Sequence, residues 1–288
     1  MSLEKWLSSK PVLTDGAWGT ELQRQGLALG ECPDSWNLKN PDAVVAVARS
    51  YVEAGSRVIL TNTFRSNRLA LTGHGLASEI REINLAGVRI SREAASGRAA
   101  VFASMGPTGK MLMLGEVSKS EIQQAFTEQA ELLAEGGADT LIFETMTDPA
   151  EAQLAVSAVR PTGLPVIVSF VFDSGKEKDR TKMGSSPEQV AKEMSDAGVS
   201  AIGANCGLGI EGFIPICGRL HAATSLPVWI KANAGLPEII DGAPVYRITP
   251  ENYANHLPAL MRAGASFIGG CCGTNPAFIA ACARKMYS

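Results

Sequence analysis

Aromatic side chains make up only 6% of the 288 residues, and histidine occurs three times. His74, His221 and His256 show no metal-ligand spacing, so a histidine-built metal centre is not expected. No apolar run approaches the roughly 18 residues of a membrane span. No Lys or Arg run forms a patch, and the net charge is -3, so neither nucleic acid nor an anionic membrane is an expected partner. The first ten residues, MSLEKWLSSK, lack the apolar stretch of a secretory leader, which gives the expectation of a cytoplasmic protein. In that compartment the six cysteines are expected to be reduced, which favours metal binding or nucleophilic roles over disulfides. The familiar C-x-x-C spacing is missing; Cys271 and Cys272 are adjacent.

With 45% apolar and 19% charged residues, the chain can fill a full core. One short pattern recurs: a helix ending in Gly, then an apolar, β-rich run. It appears at EAGSRVILTNTF, EGGADTLIFETM, DAGVSAIGANCG and RAGASFIGGCCG. The glycines suit the left-handed residue that ends a helix, and the runs read as strands buried on both faces. Helix starts are marked by a capping residue before proline at Asn40, Asp148, Ser186, Thr249 and Asn275. Strands are expected at 12–14, 58–62, 100–104, 140–144, 166–170, 201–205, 228–232 and 267–270, each followed by a helical stretch. Eight βα units in this length favour a single-domain (β/α)8 TIM barrel over residues 1–288; an open doubly wound sheet is the competing topology. Long connections at 16–40, 64–77 and 172–185 follow strands, so they belong on the face where barrel active sites are built.

The chemically unusual residues sit at strand ends. A barrel brings Cys206 from the sixth strand to Cys271 and Cys272 from the eighth. Three soft thiolates suit zinc, and a catalytic site keeps a fourth position open. Adjacent residues of a strand point to opposite faces, so both Cys271 and Cys272 reach one ion only where the strand has turned into a loop. The competing reading makes all three small buried hydrophobes. Glu144 lies on the otherwise apolar run LIFET, and a buried carboxylate needs a partner; an internal salt bridge is one. Gly207 to Gly212 spells G-x-G-x-x-G but lacks an acid some 20 residues on, so it reads as a strand-to-helix turn. Cys32, Cys217 and Cys282 read as structural. The charged loop 176–182 reads as solvated, with Arg180 and Thr181 as candidates to close over a substrate.

DGAWGTEL, TNTF, GPTG, FET, GANCG, NAG and GGCCGTNP, in this order from about Asp15 to Asn275, resemble the homocysteine S-methyltransferase family. The resemblance implies a (β/α)8 barrel that binds zinc through Cys206, Cys271 and Cys272 and methylates homocysteine to methionine. It implies that Glu144 binds the homocysteine ammonium, and that Asp15 and Gly16 contact the same amino acid. Asp15 is otherwise a turn residue. Asn233 is implied as a weak fourth zinc ligand before substrate binds, or else is a turn-forming Asn.

Three donor types occur in such a family: a methylcorrinoid charged from folate or another compound, a methylsulfonium such as S-methylmethionine, and betaine. TNTF, GANCGLG and NAGLP are most similar to the barrel of cobalamin-dependent methionine synthases, which favours a methylcorrinoid or folate-linked donor. The chain has no D-x-H-x-x-G motif, so a separate corrinoid protein would have to present the methyl group. A cationic donor would call for an aromatic cage, for which Trp18 and Trp36 are the candidates. Another small thiol is an alternative acceptor. A zinc hydrolase or lyase, and a non-catalytic thiol-binding subunit, are the readings from other classes. A hydrolase would favour His or carboxylate ligands, because three thiolates make zinc a poorer Lewis acid.

Overall fold

The computed structural model describes residues 3–7, 11–240 and 243–287. Eight parallel strands form a nearly closed barrel: β1 (Val12–Leu13), β2 (Val58–Leu60), β3 (Ala100–Met105), β4 (Thr140–Met146), β5 (Val166–Phe170), β6 (Ala201–Gly209), β7 (Val228–Asn233) and β8 (Ala265–Gly270). Each pairs with its sequence neighbour from β2 to β8, and β8 pairs with β1. The seam between β1 and β2 carries no ladder. It is crossed by the Arg57 N–H to the Leu13 carbonyl at 2.8 Å and by the Leu60 N–H to the Asp15 carboxylate at 2.7 Å. This is the expected TIM barrel.

The helix signals hold locally. Ser186 caps Pro187–Asp196 in a reciprocal box with Gln189, and Asp148, Thr249 and Asn275 each accept from a first-turn N–H. Asn40 precedes Pro41–Glu53 without a side-chain cap. Gly55, Gly137, Gly198 and Gly264 end their helices at positive φ. Among the described residues no helix is long and apolar enough to cross a membrane.

Strand periodicity decides where chemistry is possible. Odd and even residues of each strand point to opposite sides, so one set packs against the helices and the other fills the barrel. Val58, Leu60, Phe102, Ile142, Ile167, Trp229 and Phe267 belong to the interior cluster, with Phe102 stacked on Trp229 at 6.1 Å between ring centres. Two residues further along the same strands, the interior positions become Asn62, Ser104, Glu144, Ser169, Lys231 and Gly269. The apolar plug therefore ends where a polar layer begins, at the carboxyl ends of the strands.

Candidate active site

A cavity of about 420 Å³ opens at that end of the barrel. Cys206, Cys271, Cys272, Glu144, Thr145 and Lys231 from the strand ends line it, together with Trp18, Glu31 and Phe64 from the connections that follow β1 and β2.

The three sulfurs lie within 4.8 Å of one another, and Cys206 Sγ is 3.9 Å from Cys272 Sγ. Tetrahedral metal–thiolate bonds of ~2.3 Å place sulfurs ~3.8 Å apart, so the cluster fits an ion of that kind. Asn233 adds a second indication. It is 5% exposed, and its Oδ1 has no hydrogen-bond partner beside the cluster. A buried orphan acceptor is costly, and a cation would satisfy it. The thiols also respond unequally to sharing protons. Hydrogen bonds from Cys271 and Cys272, then those from Gly207 and Asn233, hold Cys206 far below the thiol range against burial. Cys271 and Cys272 are pushed up, first by their hydrogen bonds with Cys206. One thiolate is favoured by its neighbours' hydrogen bonds, and the other two thiols hold their protons.

Local geometry explains how each cysteine reaches the cluster. Asn205 is the last interior residue of its alternation, and Cys206 would ordinarily face outward. A left-handed backbone at Cys206, φ 62°, turns it inward. Cys271 and Cys272 follow the end of β8. The Cys271 N–H donates to the Ala232 carbonyl at 2.7 Å, and Cys272 accepts from the Ala234 N–H at 2.9 Å, so the turn is docked against the end of β7. Gly273, at φ 81°, closes it beneath the Tyr246 ring, whose Cγ would lie 2.2 Å from an added Cβ. Burial and then the neighbouring Cys272 push the Tyr246 hydroxyl pKa up. Gly273→Ala is expected to weaken metal binding about 10–100-fold, as loss of an outer support does, measured by chelator competition; unchanged affinity would mean that the turn does not place Cys272.

Glu144 lines the cavity and is half-buried. It accepts a hydrogen bond from Ser104 Oγ. Burial raises its carboxyl pKa, partly offset by Lys231 and by that hydrogen bond. No ion pair joins it to Lys231 or any other described cation, so the internal salt bridge weighed for Glu144 is not formed. Lys231 instead pairs with Asp15 at 2.5 Å, both side chains being at most 2% exposed. The other Asp15 oxygen accepts from Leu60 N–H and Trp18 Nε1, each at 2.7 Å. Both carboxylate oxygens of Asp15 are thus occupied by the protein itself. Gly16 lines the cavity; an added Cβ there would meet the Tyr51 hydroxyl and Thr274 Oγ1 at 2.8 and 2.9 Å.

Several expected motifs serve as scaffolding. Asn62 Nδ2 donates to Pro33 O and Asn37 Oδ1, and Thr63 Oγ1 donates to Ser104 O, so TNTF ties the first long connection to β3. Thr108 of GPTG binds buried Glu151 through N–H and hydroxyl, both 2.7 Å. Trp36 is packed in the core with its Nε1 on Glu31 and does not line the cavity, so of the two cage candidates Trp18 is the one that faces it, in a lining that also includes Phe64. Arg180 is bridged to Ser174 and Thr181 is buried, and neither lines the cavity. His256 sits beside Glu211 at 3.1 Å, away from the cluster; Cys32, Cys217 and Cys282 are buried. Ser104 and Tyr246 carry no sequence signal; Lys231 carries one, a charge inside the apolar run VWIKAN, and Asn205 lies in the Asn-Cys pair of GANCG.

A family model described as homocysteine S-methyltransferase matches residues 12–286. The methionine synthases of Mycobacterium tuberculosis (strain ATCC 25618 / H37Rv) and Mycobacterium leprae (strain TN) are each 31% identical to this chain, over 95% and 94% of it. The chain spans 24% of the length of each of these relatives. Among solved structures, the metallated form of the homocysteine methyltransferase MmuM from Escherichia coli superposes with a TM-score of 0.83. It is 24% identical and covers 98% of this chain and 99% of its own. The oxidized form gives 0.81 at 25% identity, over 97% of each chain.

Proposed function

The chain belongs to the homocysteine S-methyltransferase family, and on that premise we propose that it transfers a methyl group to the thiol of homocysteine, giving methionine, with zinc at Cys206, Cys271 and Cys272. The observation that carries this reading is the three-sulfur cluster in the wall of a cavity that Glu144 also lines.

When bound, zinc would supply Lewis acidity that keeps a thiol deprotonated at neutral pH, where a free thiol of pKa about 8.5 is mostly protonated. Cys206, Cys271 and Cys272 would hold it, and the unpartnered Oδ1 of Asn233 would complete the fourth position until substrate arrives. Glu144, oriented by Ser104, receives the α-ammonium. Asp15 acts through Lys231, Trp18 and Leu60 to shape the pocket, and the backbone of Gly16, close-packed on Tyr51 and Thr274, contacts the amino acid. The substrate sulfur then bonds to the methyl carbon as the donor–methyl bond breaks.

The donor we favour is a methylcorrinoid carried on a separate protein or supplied through a folate-linked system. Leu29, Met113, Leu114, Leu236, Ile239 and Ile240 are all exposed, and all lie on connections that follow barrel strands. Exposed apolar groups gathered on one face suit a macromolecular partner. A small cationic donor, S-methylmethionine or betaine, is the second reading; Trp18, Phe64 and Glu31 in the cavity lining favour it. Methionine formation from homocysteine with each donor separates the two, and formation with none would overturn the transferase reading.

Glu144→Gln is expected to weaken homocysteine binding about 10–100-fold by calorimetry, the range for a lost charge-assisted contact, with zinc affinity unchanged. Unchanged homocysteine affinity would return Glu144 to a structural role. The raised Glu144 pKa sets the sign of the pH dependence. Protonation removes the anion that binds ammonium, so affinity falls on acidification and begins to fall above the ordinary carboxylate range.

A further inference from the structure

Asn205 is fully buried, and its side chain spans two strands. Its Oδ1 accepts from the Thr145 N–H at 2.9 Å and from Ser169 Oγ at 2.6 Å; its Nδ2 donates to Thr145 Oγ1 at 2.8 Å. A backbone N–H can only donate, so the amide orientation is fixed by the network. The residues on either side of this link are the functional ones. Cys206 follows Asn205, and Glu144 precedes Thr145.

Both corners are unusual. Cys206 and Thr145 adopt φ of 62° and 63°, two of only four non-glycine residues at positive φ among those described. The β4–β5 register slips between Phe143 and Met146, and the β6–β7 register slips between Asn205 and Gly209, so the ladder is interrupted at each corner. A β-branched residue in the left-handed region persists only where its surroundings over-determine it. Asn205 supplies that constraint at Thr145 while itself preceding the Cys206 corner. One side chain thereby locks both corners together.

We propose that Asn205 is a positioning residue that fixes the span between the metal-bound thiol position and Glu144, and so selects homocysteine over cysteine. The proposal rests on the reading of the site given above. A thiol amino acid must reach from sulfur to ammonium across a fixed gap. Cysteine is one carbon–carbon bond, about 1.5 Å, shorter. A pocket that distinguishes one methylene does so by about 10–200-fold, and only if its two ends do not move.

The test uses zinc-loaded wild type, Asn205→Ala and the milder Ser169→Ala, with L-homocysteine and L-cysteine affinities measured by calorimetry. The expected result is a homocysteine preference in the wild type that narrows about tenfold in Asn205→Ala, with an intermediate narrowing in Ser169→Ala. In the metal-free protein, hydrogen exchange at the Thr145 amide is expected to accelerate at least about tenfold in Asn205→Ala, because its acceptor is gone. Equal weakening of both ligands, or an unchanged Thr145 amide, would overturn the proposal. If Asn205→Ala does not fold, an unchanged ligand ratio in Ser169→Ala overturns it instead. A wild type that binds zinc but neither thiol would refute the function proposed above, a result distinct from a wild-type preference that survives both substitutions.

Discussion

Replacing Cys206, Cys271 or Cys272 singly by alanine is expected to abolish methyl transfer and reduce bound metal from one equivalent to a small residue, while the barrel stays folded. The three side chains line the cavity rather than the core, and each is part-exposed. Their loss removes no packing that the barrel needs, so metal-free stability should change by about 1 kcal/mol or less. The metal is a different matter. Two remaining sulfurs leave an incomplete donor set, and the loss in affinity should exceed the roughly 10–100-fold typical of an outer-shell partner. Elemental analysis and thermal unfolding of the apo variants check the two halves separately. Turnover retained in any one variant would remove that cysteine from the site.

Lys231→Met is expected to have the largest effect on stability, about 3–5 kcal/mol. Burial opposes the charge on Lys231, yet attraction from Asp15 and Glu144 outweighs it and the net displacement of its pKa is upward. Removing the lysine leaves the Asp15 carboxylate in the interior with only the Leu60 N–H and Trp18 Nε1 as donors. For a chain of this size each kcal/mol lowers the melting temperature by roughly 2–3 °C, so a fall of about 6–15 °C is expected. Asp15→Asn combined with Lys231→Met should recover most of it, since neither charge then lacks its partner. A single-variant cost below about 1 kcal/mol, or no recovery in the double variant, would show that the pair does not hold the inner end of the barrel together.

Much of the architecture follows from local signals. Glycine-terminated helices, proline-initiated helices and apolar runs place all eight strands, because each signal reflects a short-range constraint of the backbone. The cysteine cluster was also legible, since barrel topology alone brings the ends of β6 and β8 to one face. Glu144 stood out as a charge in an apolar strand. Lys231 satisfies the same criterion in VWIKAN, and the criterion points to a buried partner for it. What no sequence pattern exposes is the left-handed backbone at Cys206 and Thr145, because neither residue type favours it. That conformation is imposed by tertiary contacts, and the Asn205 bridge behind it joins residues 60 positions apart. Asp15 shows the reverse case. Its position before Gly16 marks it in the sequence, but its side chain is committed to Lys231, Leu60 and Trp18.

The most direct test of thiol activation is the X-ray absorption edge of the purified, metal-loaded protein, read with its zinc content before and after adding L-homocysteine. One zinc per chain, passing from three sulfur neighbours and one light atom to four sulfurs, is the expected result. Absence of zinc, or a zinc whose ligand shell ignores homocysteine, would contradict it.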